Sequence, residues 1–169
     1  MRNFKLFLWI FILLILETTL GRYIKIQSIL PDIVLVFVIS YAILEEAPLR
    51  RVVVGCICGI AMGALGGRGP AFMLLWYMYG AYFTGKILSR YRKQWFFKAA
   101  PAVFLVTAAG ELFYYIFHYF SVSGFLDALL WTVLPAAVYN GAVSLVIFPL
   151  LRRTIYKKST APKIVLGGV

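Results

Sequence analysis

Charged side chains are scarce in this sequence. Only 14% of its 169 residues are Asp, Glu, Lys or Arg, whereas 63% are hydrophobic. Soluble domains carry charge on roughly a quarter of their residues, and a chain this short could not bury so much apolar surface in a water-soluble core. The composition therefore excludes an ordinary soluble domain and predicts a single membrane-embedded helical bundle with almost no part outside the membrane.

Acidic residues, cysteine and histidine are also few, with six, two and one in the chain. Cys56 and Cys58 would lie about 200° apart around a helix, so neither a mutual disulfide nor a shared metal is expected. The sequence contains no set of residues with metal-ligand spacing, no nucleophile–base pair and no phosphate loop. We therefore expect no metal, no cofactor and no enzymatic activity.

Basic residues are in excess, with a net charge of +11. They fall in short clusters between long apolar runs, where such residues orient a membrane protein and attract anionic lipid headgroups. No basic face on a soluble module is present to bind nucleic acid. The excess therefore predicts contact with anionic lipids and no nucleic-acid partner.

Six apolar runs have close to the length of a membrane-spanning helix, which needs about 20 residues with roughly 17 to 25 tolerated. The first run lacks a signal-peptide cleavage site and is expected to remain as an uncleaved helix. Residues 1–156 are predicted to form one transmembrane domain, and residues 157–169 a flexible cytoplasmic tail. The predicted helices cover residues 4–20, 30–46, 52–67, 70–88, 99–120 and 126–151.

The basic residues also predict the orientation of the bundle. If the amino terminus is cytoplasmic, 14 of the 17 Lys and Arg residues lie on the cytoplasmic side, and only Arg22, Lys25 and Arg68 lie outside. This distribution follows the positive-inside rule, and the opposite orientation would invert it. Both termini are therefore predicted to be cytoplasmic.

Glycines mark two features of the third and fourth helices. Gly55, Gly59 and Gly63 recur at four-residue spacing, which lets another helix approach closely along one face. This face could be a dimer or partner-binding seam, or it could pack internally against a neighbouring helix. Residues 66–70, which include Gly66, Gly67 and Gly69, predict a tight turn between the two helices.

Four residues are candidates for partner binding or for structural polar contacts. Pro31 and Asp32 open the second helix, where proline and a carboxylate suit the first turn, and we expect them near the outer surface. Glu111 lies deep in the fifth helix and should face the bundle interior. Asn140 lies at a similar depth in the sixth helix, so we expect the two side chains to form a hydrogen bond. A proton or ion relay through Glu111 is the alternative.

Three stretches resemble the bacterial rod shape-determining protein MreD family. Residues 30–39, followed by Tyr41, resemble its second-helix signature of Pro, then Asp or Asn, an apolar run and an aromatic residue. Residues 59–70 resemble its glycine-rich hairpin, although Gly63 stands where the family carries an acid. Residues 134–141, which include Asn140, resemble its closing helix.

The resemblance covers residues 1–155 and implies a non-enzymatic part of the cell-elongation machinery in the bacterial cytoplasmic membrane. Its implied partner is a single-pass MreC-like protein, working with actin-like MreB and with a peptidoglycan polymerase and transpeptidase. It also implies a six-helix architecture shared with the substrate-binding components of energy-coupling-factor transporters. A vitamin-binding subunit of that transporter class is therefore the alternative, and it would need a cavity of roughly 300 Å³ or more.

Overall fold

The computed structural model of the protein describes residues 2–20, 30–66, 69–88, 95–119 and 124–155. Within these ranges the chain is helical and contains no strand. The helices are α1 (Arg2–Leu20), α2 (Ile33–Leu44), α3 (Pro48–Gly66), α4 (Pro70–Leu88), α5 (Trp95–Tyr119) and α6 (Phe125–Ile155). Residues Leu129–Val133 of α6 form a π-helical turn.

The prediction of an all-helical membrane protein is confirmed. Among the described residues, three helices contain stretches long and apolar enough to cross a membrane. These stretches are Pro48–Leu65, Lys98–His118 and Phe125–Ile155. The apolar helix Ile33–Leu44 is shorter. The full count of six crossings stays a prediction.

Helix α2 is the core of the bundle. Eleven of its 12 residues are buried, and it contacts each of the other five helices. Its sequence is apolar on every side, which is typical of a helix with apolar surroundings all round, and here those surroundings are the other helices. At about 1.5 Å per residue it is roughly 18 Å long, against an apolar bilayer core of about 30 Å. α2 is therefore a short central helix enclosed by longer ones.

The predicted second helix, residues 30–46, was too long at both ends. The Asp32 side chain caps the observed helix, which begins at Ile33, and Glu45 ends it in an extended conformation. The predicted fourth helix, residues 70–88, has the observed bounds. The predicted fifth helix began at residue 99, but α5 begins at Trp95 and continues through Pro101.

The face formed by Gly55, Gly59 and Gly63 packs internally against α4. A Cβ atom on Gly59 would lie 2.7 Å from the Met73 carbonyl oxygen, and one on Gly55 would lie 2.7 Å from that of Tyr77. A Cβ atom on Gly63 would overlap Pro70. Two backbones approach this closely only where side chains are absent. Of the two interpretations, internal packing is the one observed, and α4 occupies the seam proposed for a partner.

The turn between α3 and α4 contains one left-handed residue. Gly69 has φ of +83°, and its carbonyl oxygen accepts a hydrogen bond from Met73 N at 3.2 Å in the first turn of α4. Glycine adopts this conformation without steric cost. Gly66 is the last residue of α3, whereas Gly67 and the predicted tail 157–169 lie outside the described residues.

Candidate functional site

The amino terminus of α2 is the centre of a polar cluster inside the bundle. The Asp32 carboxylate accepts hydrogen bonds from Leu35 N at 2.7 Å and from the Tyr77 hydroxyl at 2.5 Å, both on Oδ1. The first bond is a helix cap, because the first turn of a helix has N–H groups without partners in the helix itself. The second is short, as expected for a hydroxyl bonded to a carboxylate. Asp32 thus joins α2 to α4.

Asn140 joins the same helix end to α5 and α6. Its Oδ1 accepts a hydrogen bond from Asp32 N at 2.9 Å, and its Nδ2 donates one to Thr107 Oγ1 at 3.2 Å. Asn140 is 1% exposed and Thr107 is 2% exposed. They are the central residues of the helices Phe125–Ile155 and Trp95–Tyr119. The cluster therefore lies at the mid-depth of the two longest helices.

A second carboxylate reaches the α2 amino terminus from α1. Glu17 Oε2 accepts hydrogen bonds from Ile33 N at 2.8 Å and from Val34 N at 3.3 Å. These N–H groups belong to the first turn of α2, and the partial positive charge of a helix amino terminus favours carboxylates there. Glu17 thus caps α2 from another helix, and five helices meet at this one point.

Two predictions about this region were wrong in detail. Asp32 was expected near the outer surface, but its backbone is bonded to Asn140 at the middle of α6, and Pro31 beside it is buried. Asn140 was expected to bond to Glu111. Among the described residues its amide bonds instead to Asp32 and Thr107. Arg22, Lys25 and Arg68, the three basic residues predicted to lie on the outer side, are outside the described residues.

A small cavity adjoins the polar cluster. Its volume is about 20 Å³, and it is lined by residues of α2, α4, α5 and α6 and by Asp32. Glu111 and Asn140 both line it, so the two residues predicted to meet share one cavity. Room for one water molecule requires about 10–15 Å³, and a typical small-molecule pocket has about 300–1,000 Å³. The cavity is therefore of water size.

The carboxyl terminus of α2 is also held by ionisable side chains. Glu45 is 4% exposed, and its Oε2 lies 3.3 Å from Arg2 Nη2 and accepts a hydrogen bond from the Tyr41 hydroxyl at 2.9 Å. Arg51 Nε donates to the Glu45 carbonyl oxygen at 2.8 Å, where the helix ends. Through Glu17 and Arg2, α1 contacts both ends of the central helix.

Sequence reasoning missed Glu17, Tyr77, Thr107, Glu45 and Arg51 as members of these contacts. Glu17 had a usable signal, because an acidic residue within a membrane helix needs a partner and usually marks a functional or structural site. Tyr77 is one of 11 tyrosines, and nothing in the local sequence separates it from the others.

The arrangement is suited to holding helices together. Its carboxylates and amide bond to helix-end N–H groups and to neighbouring hydroxyls. In the part of the chain that the structure describes, no group of three or more His, Cys, Asp or Glu residues is placed to hold a metal ion. Compared with known proteins, the chain matches no protein-family model, no curated protein and no solved structure.

Proposed function

We propose that this protein is a non-enzymatic component of the bacterial cell-elongation machinery, similar to MreD, which binds a single-pass MreC-like protein. The observation that carries the proposal is the hydrogen bond between Asp32 N and Asn140 Oδ1 at 2.9 Å. These residues belong to two of the short stretches that resemble the MreD family, and they are 108 positions apart. Their direct contact supports the interpretation that both stretches resemble the same family, because they come together in one polar cluster.

The proposal includes six crossings of the cytoplasmic membrane with both termini in the cytoplasm. It rests on the six helices of the described chain and on the 14 basic residues assigned to the cytoplasmic side. In this orientation the Arg2–Glu45 ion pair lies toward the cytoplasm and the α3–α4 turn lies outside. Anionic lipids would contact the cytoplasmic basic clusters.

The size of the cavity favours a binding scaffold over a vitamin-binding transporter subunit. A vitamin would need a pocket of roughly 300 Å³ or more. The cavity beside Asp32 and Asn140 has a volume of about 20 Å³. The function would then depend on the surface of the bundle that contacts lipid and partners rather than on its interior.

The proposed partner surface is the side of the bundle that faces the lipid, since α4 already occupies the glycine face of α3. A single-pass protein would lay one apolar helix along such a surface, where membrane helices associate through packing and small residues. MreB and the wall-synthesis polymerase and transpeptidase would then be reached through that partner.

Co-purification tests the proposal. The full chain is co-expressed with the MreC-like protein of the same genome and captured in mild detergent, and we expect a stable complex. A single-pass protein of unrelated function from that genome is the control. Expression of the pair in a rod-shaped bacterium depleted of its own MreC and MreD should restore rods from rounded cells. Failure of both assays, with the chain folded, would reject the proposal.

A further inference from the structure

The indole N–H of Trp76 is a buried donor without an acceptor among the described residues. A Cβ atom on Gly110 would lie 2.5 Å from Trp76 Nε1, so this nitrogen points at the backbone of α5 next to Glu111. Trp76, Gly110 and Glu111 all line the cavity of about 20 Å³. Buried tryptophan N–H groups almost always have a hydrogen-bond partner, and a buried group left without one needs an explanation.

We propose that this cavity binds one ordered water molecule, which accepts a hydrogen bond from Trp76 and donates one to the Glu111 carboxylate. The volume is sufficient for one water, which needs about 10–15 Å³ and two to four polar partners. Thr107 is a third partner, because it lines the same cavity and lies one helical turn from Glu111 on the same face of α5.

The indole N–H of Trp76 indicates that the occupant is a water molecule rather than a cation. An indole N–H can only donate, so it repels a metal ion, whereas water can accept from it and still donate twice. An organic ligand is excluded by volume.

The water links α4 to α5, which are otherwise in contact here through aromatic rings. The ring centroids of Phe72 and Tyr114 are 5.4 Å apart, and those of Trp76 and Phe113 are 5.8 Å apart. A bridging water between hydrogen-bonding side chains is nearly as favourable in enthalpy as a direct bond. It would therefore fix the relative position of α4 and α5 at the depth of Glu111, where the ring contacts are edge-to-face and tilted and do not set that position alone.

The test is magnetisation transfer from water to the indole N–H groups of the full-length protein in lipid nanodiscs. The chain has four tryptophans, and the resonance missing from Trp76→Phe identifies Trp76. We expect a cross-peak between Trp76 Nε1–H and a long-lived water. Thr107→Ser, which keeps the hydroxyl, should retain it, and Thr107→Val should weaken or abolish it.

Three results would overturn the proposal. One is an assigned Trp76 resonance without a water cross-peak in the wild-type protein. Another is an equal cross-peak in Thr107→Val and Thr107→Ser, with the other tryptophan resonances showing that both variants are folded. The last is a shift of the Trp76 resonance when sodium and potassium are replaced by N-methylglucamine, since that would identify a cation as the occupant.

Discussion

At the scale of single residues, the bond from Tyr77 to Asp32 is expected to be among the stronger side-chain contacts. Tyr77 is 0% exposed, and its hydroxyl donates to a carboxylate at 2.5 Å. Hydrogen bonds to charged groups contribute roughly 1.5–3 kcal/mol. Tyr77→Phe should lower the free energy of unfolding by about 2 kcal/mol, measured by denaturant titration in detergent micelles. Tyr79→Phe is the control, because Tyr79 is 50% exposed on the same helix. Equal losses in the two variants would contradict the assignment.

Asn140 has two roles that one substitution removes together. Asn140→Ala leaves the partly buried Asp32 N–H without its acceptor and removes the Asn140 amide donor from the buried Thr107 hydroxyl. An unsatisfied buried group costs about 1–3 kcal/mol, and this loss should appear in the same titration.

Ser144 provides the matched control for Asn140. It is fully buried one turn further along α6, but its hydroxyl bonds, among the described residues, only to the Gly141 carbonyl of the same helix. Ser144→Ala therefore leaves no hydrogen-bonding group of another helix unsatisfied, and it should lower the free energy of unfolding much less than Asn140→Ala does. A larger loss in Ser144→Ala would show that burial, rather than the link between helices, sets the cost.

The candidate site was predictable from the sequence only to within one helical turn. Depth along each helix placed Glu111 near Asn140, and both do line one cavity. The amide partner is Thr107, four residues earlier, which is a displacement of about 6 Å along the axis. Counting residues from the helix ends cannot resolve one turn, because the relative shift of two helices is set by their packing. Tyr77 was missed for a different reason, because nothing in the local sequence separates it from the other ten tyrosines.

At the scale of elements, the α3–α4 hairpin depends on its glycine face. In Gly59→Ala the new Cβ would lie 2.7 Å from the Met73 carbonyl oxygen and 2.8 Å from Leu74 Cα, and neither backbone atom can turn aside. The two helices must therefore move apart. We expect the free energy of unfolding to fall by about 1–3 kcal/mol, as for overpacking of a core, and the folded yield in size-exclusion chromatography to be lower.

Gly141→Ala is the control for the hairpin. Its Cβ would lie 3.6 Å from the Ala100 carbonyl oxygen, which is ordinary contact. Alanine also favours a helix over glycine by about 1 kcal/mol. The variant should therefore fold at least as well as the wild type. Similar yields for Gly59→Ala and Gly141→Ala would contradict the close packing of α3 on α4.

The capping of α2 by α1 makes a second prediction about elements. Glu17→Ala removes the acceptor of the Ile33 and Val34 N–H groups and should cost about 0.5–2 kcal/mol, as for loss of a helix cap. Glu17→Gln keeps an oxygen acceptor and should cost less. Thr18→Ala is the control, since within the described part of the chain its exposed hydroxyl bonds only to carbonyls of its own helix. Equal stability of Glu17→Ala and Thr18→Ala would argue against the cap.

The helices themselves were largely predictable because apolar run length is a local property of the sequence. The fourth helix was predicted with its observed bounds, Pro70–Leu88. The second was predicted too long, because the apolar run does not reveal that Asp32 and Glu45 bond to the helix ends. The apolar run also does not show that α2 lies at the centre of the bundle, since a helix that is apolar on all sides can face lipid or protein equally well.

At the scale of the whole molecule, orientation is the property that charge alone predicts. The positive-inside rule counts Lys and Arg in short loops near helix ends, and the predicted six-crossing topology puts 14 of the 17 such residues on the cytoplasmic side. Removing two of them leaves a large excess on the same side. Arg2→Gln with Lys5→Gln should therefore preserve the orientation, even though it breaks the ion pair of Arg2 with Glu45.

Cysteine labelling in spheroplasts checks this orientation. Cys56 and Cys58 are replaced by alanine, and single cysteines are placed at Arg68, in the predicted outer turn, and at Leu49, which is 73% exposed at the start of α3. A membrane-impermeant maleimide should label Arg68→Cys in intact spheroplasts and Leu49→Cys only after permeabilisation, in both the wild-type and the Arg2→Gln, Lys5→Gln background. The reverse pattern in the wild type would reject a cytoplasmic amino terminus. Reversal only in the double variant would mean that the first helix, rather than the total charge, determines the orientation.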